Sequence, residues 1–438
     1  MRLFGRKKPV EEPVVEAPRP TLPPGPEVGP DGLRSLADHR NYLLSLVEPL
    51  TPFGMQLLDA DGLAICEEII APAPLPRAST AAADGYAVRA ADFTDDFADG
   101  EWPLLQVVES VEGTLPENAG LWVEEHQVLP DGADTVMVES MTEAVAPDPE
   151  GIGGTQLEVT RRVQVGSHVR AAGSDVADGQ VLVPHGVSLD PRLLGLLAAA
   201  GIDKVLARPR PRIVVISTGR GLVEPGRPLP SHRHVHDANG YMLAAAAKAE
   251  GCQVWRIGVV SEDLDEVRET ISDQLIRADL VISTGGFREE DGDLLSEVVP
   301  SLGAADFAEV NIVPGRQQGF ALIGEDKVPM VMLPGDPFGA YVSYHAFVQP
   351  LIRKLMGTEP VVRPPVRAIT RSVIRSLPGV HEFARATLTT DRGTRSVEVS
   401  PRREQANLAD LANINALVVL DESVEAVQAG QQVQVVEF

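Results

Sequence analysis

The sequence predicts a multidomain α/β protein, a doubly wound sheet with a small β-domain before it and another after it. Three observations carry this reading. From 212 to 357, buried-strand runs alternate with helical stretches, the pattern of a largely parallel sheet covered on both faces. From 72 to 165, Pro and Gly are frequent, and the short runs LLQVV, WVEEHQVL and TVMVE stand between turns. After Pro364-Pro365 the chain reverts to short β-like runs as far as Phe438. A length of 438 residues suggests two to four domains, and no repeat of solenoid length interrupts them.

Residues 1–30 read as a disordered Pro-rich tail, because 9–30 alternates Pro with Glu, Val and Gly without a helix or strand period. Its basic head, MRLFGRKK, is followed by no apolar stretch, so it is not read as a secretory signal. Helical spacing of Leu36, Tyr42, Leu43, Leu46 and Val47 predicts an amphipathic helix from Ser35 to about Val47. A short strand is expected at 181–188. Asp190 as cap, Pro191 at the first helical position and Gly201 past the end predict a helix over 190–201. In the sheet region, strands are expected at 212–217, 253–260, 279–283 and 329–333. Helices begin near Asn239, Asp263, Asp293 and Asp336-Pro337.

Composition narrows the function classes. Net charge is 38 − 63 = −25, which disfavours nucleic acid and anionic membranes as primary partners. No apolar stretch reaches the length of a membrane span. Two cysteines, Cys66 and Cys252, fit a reducing cytoplasm better than a disulfide framework.

The chemistry-bearing signal is the set of strand ends RIVVISTG (212–219), ADLVISTGG (278–286) and MVMLPGD (330–336). Glycine after a buried strand lets backbone N–H groups approach an anion closely. Ser217, Thr218, Gly219, Thr284, Gly285, Gly286, Pro334, Gly335 and Asp336 should therefore line a phosphate-type pocket beyond the strand ends. Glu289, Glu290 and Asp291, just past the second strand, oppose an anion there. Simpler roles compete at several positions. Asp84 before Gly85 fits an Asp-Gly turn, Asp263 with Glu266 fits a helix cap, and Asp336 before Pro337 is a natural cap. His232, His234 and His236 alternate as metal ligands can. Pro225, Pro228 and Pro230 before them, with no completing Cys or carboxylate pattern, make a loop of surface histidines the simpler account.

Together these motifs resemble the MoeA/gephyrin E-domain family, the molybdopterin molybdenumtransferases, from about Leu33 to Phe438. Its markers are DGYAV (84–88), PDGADTVMVE (130–139), GSDVADGQVL (173–182), LDPRLLGLLAAAGI (189–202), ISTG (216–219), ADLVISTGG (278–286), LPGDP (333–337) and GVHEFARATL (379–388). The resemblance implies an elongated domain of 31–71 and 166–207 with a β-domain, 72–165, inserted in it. A MogA-like α/β domain at 208–359 and a C-terminal β-barrel at 360–438 follow. It implies a homodimer and a chemistry that uses Mg2+ and molybdate on adenylated molybdopterin, releasing AMP. Such chemistry calls for hard carboxylates around the cation and a donor-rich pocket for the oxyanions. Asp84, Asp175 and Asp293 fall on the family's acidic catalytic positions, Glu262 or Asp263 near another, and Asp293 and Glu262 are the expected metal ligands. Arg316 replaces a lysine of the Pro-Gly-Lys-Pro loop.

The chain also departs from the family pattern. Thr-Gly-Asp-Glu-Leu is Thr218-Gly219-Arg220-Gly221-Leu222 here, and Gly-Gly-Val-Ser-Val-Gly is Gly285-Gly286-Phe287-Arg288-Glu289-Glu290. Lys-Pro-Gly-Lys-Pro is Val313-Pro314-Gly315-Arg316-Gln317, and the Gln-x-Ser-Ser stretch is Gln405-Ala406-Asn407 without serine. A lysine is lost and Glu289, Glu290 and Asp336 are gained, with Arg220 and Arg288 as partial offsets. Two functions follow. The first is a dimeric, gephyrin-like scaffold of lapsed or weakened activity that binds a short segment of a protein partner, for instance a division or cytoskeletal protein. Phe338, Tyr341 and Tyr344 would then be aromatic anchors if exposed, although their helical spacing makes core packing the simpler fate. The alternative is a working molybdopterin molybdenumtransferase with substituted loops.

Overall fold

The computed structural model describes residues 21–93, 102–145, 154–219, 221–260, 263–285, 294–400 and 408–438. The chain divides into two compact units, one of residues 1–52 with 208–438 and one of residues 53–207. The helix Leu36–Ser45, capped by Ser35 through the Asp38 N–H, falls in the first unit. Its apolar face, Leu36 and Leu43, continues through Val47 onto Ile213, Leu243 and Phe347. Residues 31–52 fall in the same compact unit as the α/β part. The expected free tail is also shortened. Leu22 packs against that core and the Tyr42 hydroxyl donates to the Pro23 carbonyl at 2.8 Å. Residues 1–20 of the tail lie outside the described residues.

In the second unit a six-stranded sheet runs in the order Thr135–Met137, Gly85–Val88, Ala119–Val123, Leu105–Val108, Gln156–Val159, Thr142–Ala144. The expected helix is Pro191–Ala199, with Asp190 accepting from the N–H groups of Arg192 and Leu193. The strand expected at 181–188 is only Val181–Val183.

The first unit carries the doubly wound domain. Strands Gln253–Val260, Arg212–Thr218, Leu280–Thr284 and Val328–Leu333 lie side by side in that order and parallel. Two strands not expected, Gln317–Ile323 and Gly303–Glu309, extend the sheet antiparallel. Their signal is masked because glycine stands where backbones press together. A Cβ at Gly303 would strike the Leu322 carbonyl, and one at Gly319 the Met332 side chain. Helices Asn239–Ala249 and Leu264–Leu275 cover the two faces, in separate apolar clusters around Leu243 and around Val267 and Ile271. Strand 212–218 has its sequence successor 253–260 on one side and 280–284 on the other. This is the reversal point at which open α/β sheets bind ligands.

The last domain is a closed barrel. Strands His381–Asp391, Thr394–Val399, Val366–Thr370, Gln432–Glu437 and Ala416–Leu420 pair in turn, and the last returns to the first. Phe383, Leu417 and Leu411 share the α/β domain's core with Phe338 and Val342. Ile312–Val313 pairs with His381 and Glu382, a second tie between barrel and sheet. Among the described residues no helix is long and apolar enough to cross a membrane.

Candidate functional site

A cavity of 330 Å³ opens at the reversal point. Its floor is Thr218, Asn239, Thr284, Gly285 and Gly335, and its rim includes Leu222, Val235, Pro337 and Leu408. The floor is built from the sequence upward. Strands 212–218 and 280–284 are apolar until their last residues, so Thr218 and Thr284 are buried hydroxyls at the edge of the core. Gly285 has φ +79°, and a Cβ there would collide with the Thr218 carbonyl, so only glycine lets the two strand ends lie this close.

Asn239, at the start of helix 239–249, ties the floor together. Its Nδ2 donates to Thr284 Oγ1 and to the Gly335 carbonyl, both at 2.9 Å. A carbonyl can only accept, which fixes the orientation of this amide. Thr284 Oγ1 passes its own hydrogen to the Pro334 carbonyl at 2.8 Å. Just before the helix, Asp237 Oδ1 accepts the Gly240 N–H at 3.0 Å. A carboxylate therefore already occupies the positive end of this helix. Arg256 pairs with the other oxygen of Asp237 at 3.1 Å and grips Glu224 with two bonds of 3.0 and 2.6 Å. This guanidinium holds the Glu224 carboxyl below the usual carboxylate range. Among the described lining residues no lysine or arginine is present, and Asp237 is the one carboxylate.

The expected site residues separate into groups. Thr218, Thr284, Gly285 and Gly335 line the cavity. Pro334 serves it through its carbonyl, and Ser217 is fully buried with its hydroxyl unpartnered. Gly219 leads out of the first strand into the turn that leads on to Leu222. Two further expected residues are absent from the cavity lining. Arg316 is exposed on the loop after Gly315 and does not line the cavity. Asp336, as its place before Pro337 predicts, is the cap of helix Pro337–Ser343, accepting the Gly339 N–H at 2.9 Å. Gly286, Glu262 and Asp293 lie outside the described residues, as do Arg220, Arg288, Glu289, Glu290 and Gln405.

Asp84 and Asp175 belong to the other unit. Asp84 accepts the Glu125 N–H at 2.7 Å, and Asp175 is paired with Arg170; both are exposed. Among the described residues no three His, Cys, Asp or Glu side chains stand together as a metal site requires. His234 is hydrogen-bonded to Ser231, and His236 to the Arg227 carbonyl.

The three aromatic residues of helix Pro337–Ser343 and its continuation differ in burial. Phe338 and Tyr344 are buried in the core shared with the barrel, which is what their helical spacing allows. Tyr341 alone is half-buried, edge-on to Phe438 and His345 at 5.0 and 4.7 Å. Sequence reasoning missed Leu222, Val235, His236, Asp237, Asn239 and Leu408. The one usable signal was Asp237-Ala238-Asn239-Gly240, an acid and an amide at the start of a helix.

Three family profiles match the chain in order. They are the MoeA N-terminal region (domain I and II) over residues 34–201, the probable molybdopterin binding domain over 214–354, and the MoeA C-terminal region (domain IV) over 367–438. Two Mycobacterium tuberculosis proteins named molybdopterin molybdenumtransferase 1 and 2 are 33% and 30% identical over 429 and 418 residues. Each match covers 92% of this chain and 98% or 99% of the relative. A solved structure of the molybdopterin biosynthesis MoeA protein from Pyrococcus horikoshii superposes with a TM-score of 0.78 at 25% identity. That match spans 92% of this chain and 98% of the other.

Proposed function

The chain belongs to the MoeA family of molybdopterin molybdenumtransferases, and we propose that it binds adenylated molybdopterin in the strand-end cavity and inserts molybdenum slowly. The binding half is supported by the cavity itself, held open by a glycine contact and an amide that no core requirement explains. The slow half is supported chiefly by Gly221. It occupies the place of the glutamate in Thr-Gly-Asp-Glu-Leu, has φ +83°, and a Cβ there would stand 2.9 Å from the Arg233 carbonyl. The carboxylate is thus absent in a turn whose backbone disfavours any side chain. In this reading the chain's residues bind and orient the ligand through hydroxyl, amide and backbone groups. Molybdate is the substrate and Mg2+ the expected cation, with Glu262 and Asp293 as its proposed carboxylates. The test is complementation of a strain that lacks molybdopterin molybdenumtransferase. Partial rescue, lost on changing Asn239 to Leu, supports the reading; full rescue contradicts the slow half and no rescue at any expression level contradicts insertion.

One observation favours a second function, a homodimeric scaffold for a short peptide of a protein partner. Tyr341, His345 and Phe438 form an aromatic cluster where the α/β domain meets the barrel, and Phe438 is 39% exposed. Amphipathic aromatic surface of this kind anchors peptides. A saturable peptide interaction that survives Asn239→Leu and is lost with Phe438→Ala supports it.

A further inference from the structure

We propose that Arg256 is a positioning residue for the strand-end cavity, acting through Asp237 on the helix start that carries Asn239. This rests on the reading that the cavity holds adenylated molybdopterin.

The assembly begins with an irregularity in the sheet. Val215 pairs with Arg256 and Ser217 with Val259, so Ile257 and Gly258 together oppose the single residue Ile216. Gly258 has φ +83°, a conformation glycine adopts without strain. A Cβ at Gly258 would stand 2.7 Å from Glu224 Oε1, so the glycine also makes the seat for that carboxylate. Glu224 fills the seat and accepts the Val259 N–H at 2.9 Å. It then grips Arg256 with both oxygens.

Both terminal nitrogens of Arg256 are used in a way only a guanidinium allows. Nη1 reaches Glu224 and Asp237, and Nη2 reaches Glu224 and the Tyr241 hydroxyl at 3.2 Å, while its Cζ lies 4.1 Å over the Tyr241 ring. Asp237 has a side chain 1% exposed and joins this network to the cavity. Its N–H is held by the Val223 carbonyl at 2.9 Å and its Oδ1 by Gly240. Two residues after Asp237, Asn239 gives its hydrogens to Thr284 and Gly335. The turn 221–237 makes only short strand pairs, Leu222–Val223 with Val235–His236. Arg256 is the side chain that links both of its ends to the sheet. A lysine keeps the charge but cannot span two carboxylates and a phenol from one nitrogen.

The test is Arg256→Lys in the full chain, with Glu224→Gln as a second variant should the first fail to fold. Two readouts are taken: steady-state AMP release from adenylated molybdopterin, and amide hydrogen exchange of the 235–243 segment. For Arg256→Lys, KM should rise roughly tenfold with kcat within about twofold, the signature of lost binding geometry rather than lost chemistry. Exchange of 235–243 should quicken about tenfold while the core strands stay protected. Glu224→Gln should move both in the same direction by less, and the double variant should fall short of the sum. Unchanged exchange of 235–243 in Arg256→Lys overturns the proposal, as does a kcat loss with KM unchanged. If the wild type neither binds nor turns over adenylated molybdopterin, the functional reading fails instead, and the exchange experiment still decides the role of Arg256.

Discussion

Asn239 is a small residue with a large share of the cavity's geometry, because one amide nitrogen serves two strand ends. Removing it takes one donor from the buried Thr284 hydroxyl and another from the Gly335 carbonyl at the cavity, a loss of about 0.5–1.5 kcal/mol for each bond. Asn239→Ala should therefore lower the urea midpoint measurably and weaken adenylated-molybdopterin binding more than its stability loss alone implies. Gly221 has the opposite logic. Restoring the family's glutamate there looks like a repair in the sequence, yet the left-handed φ and the Arg233 carbonyl make it a strain of roughly 1–3 kcal/mol. Gly221→Glu, alone or with Val313→Lys, should lower the melting temperature and leave AMP release where it was. The hydroxyls and glycines of the floor were legible in the sequence, because a buried strand ending in Ser-Thr-Gly has few other uses. Asn239 was not, because a single amide ahead of a helix is indistinguishable from an ordinary cap until its partners 45 and 96 residues away are known.

Two helical elements bury histidines. His39, on helix Leu36–Ser45, is 1% exposed and edge-on to Phe347 at 5.1 Å. Burial, with Arg34 nearby and Asp306 opposing, takes its pKa down to about 4. His345, in the π-helical turn Tyr344–Val348, is stacked on Phe438 and also falls to about 4, through burial. As pH falls from the ordinary histidine value of 6.5 toward 4, the unfolded chain takes up protons that the native state refuses. Stability is full above about 6.5 and declines below it, by at most about 3 kcal/mol per histidine. Urea unfolding at pH 7 and pH 5 should show this drop, and His39→Leu should shrink it. Elements whose signals are local were readable: Asp190, Asp263 and Asp336 all cap the helices their positions announce. The strands Gly303–Glu309 and Gln317–Ile323 were not, because their glycines read as breaks and their antiparallel pairing departs from the strand–helix alternation of the rest of the sheet.

At the scale of the whole molecule, the order of the regions was legible, while what the first helix packs against was not. The first helix reads as part of the N-terminal domain by sequence neighbourhood, yet its apolar face matches the α/β core. The Pro-rich segment reads as free, yet Leu22 and Pro23 are held by that core and by Tyr42. Limited proteolysis should accordingly cut ahead of Thr21 and spare 21–30 in the native protein, as mass spectrometry of the trimmed chain would show. Cys252 should stay unmodified by thiol reagents until unfolding, since burial raises its pKa to about 12. The most direct test is a side-by-side measurement of molybdate-dependent AMP release from adenylated molybdopterin by this protein and by a relative with Thr-Gly-Asp-Glu-Leu intact. The cavity and Gly221 together predict comparable KM values with a kcat lower by roughly tenfold or more. Equal kcat values would contradict the account, as would failure to bind adenylated molybdopterin at all.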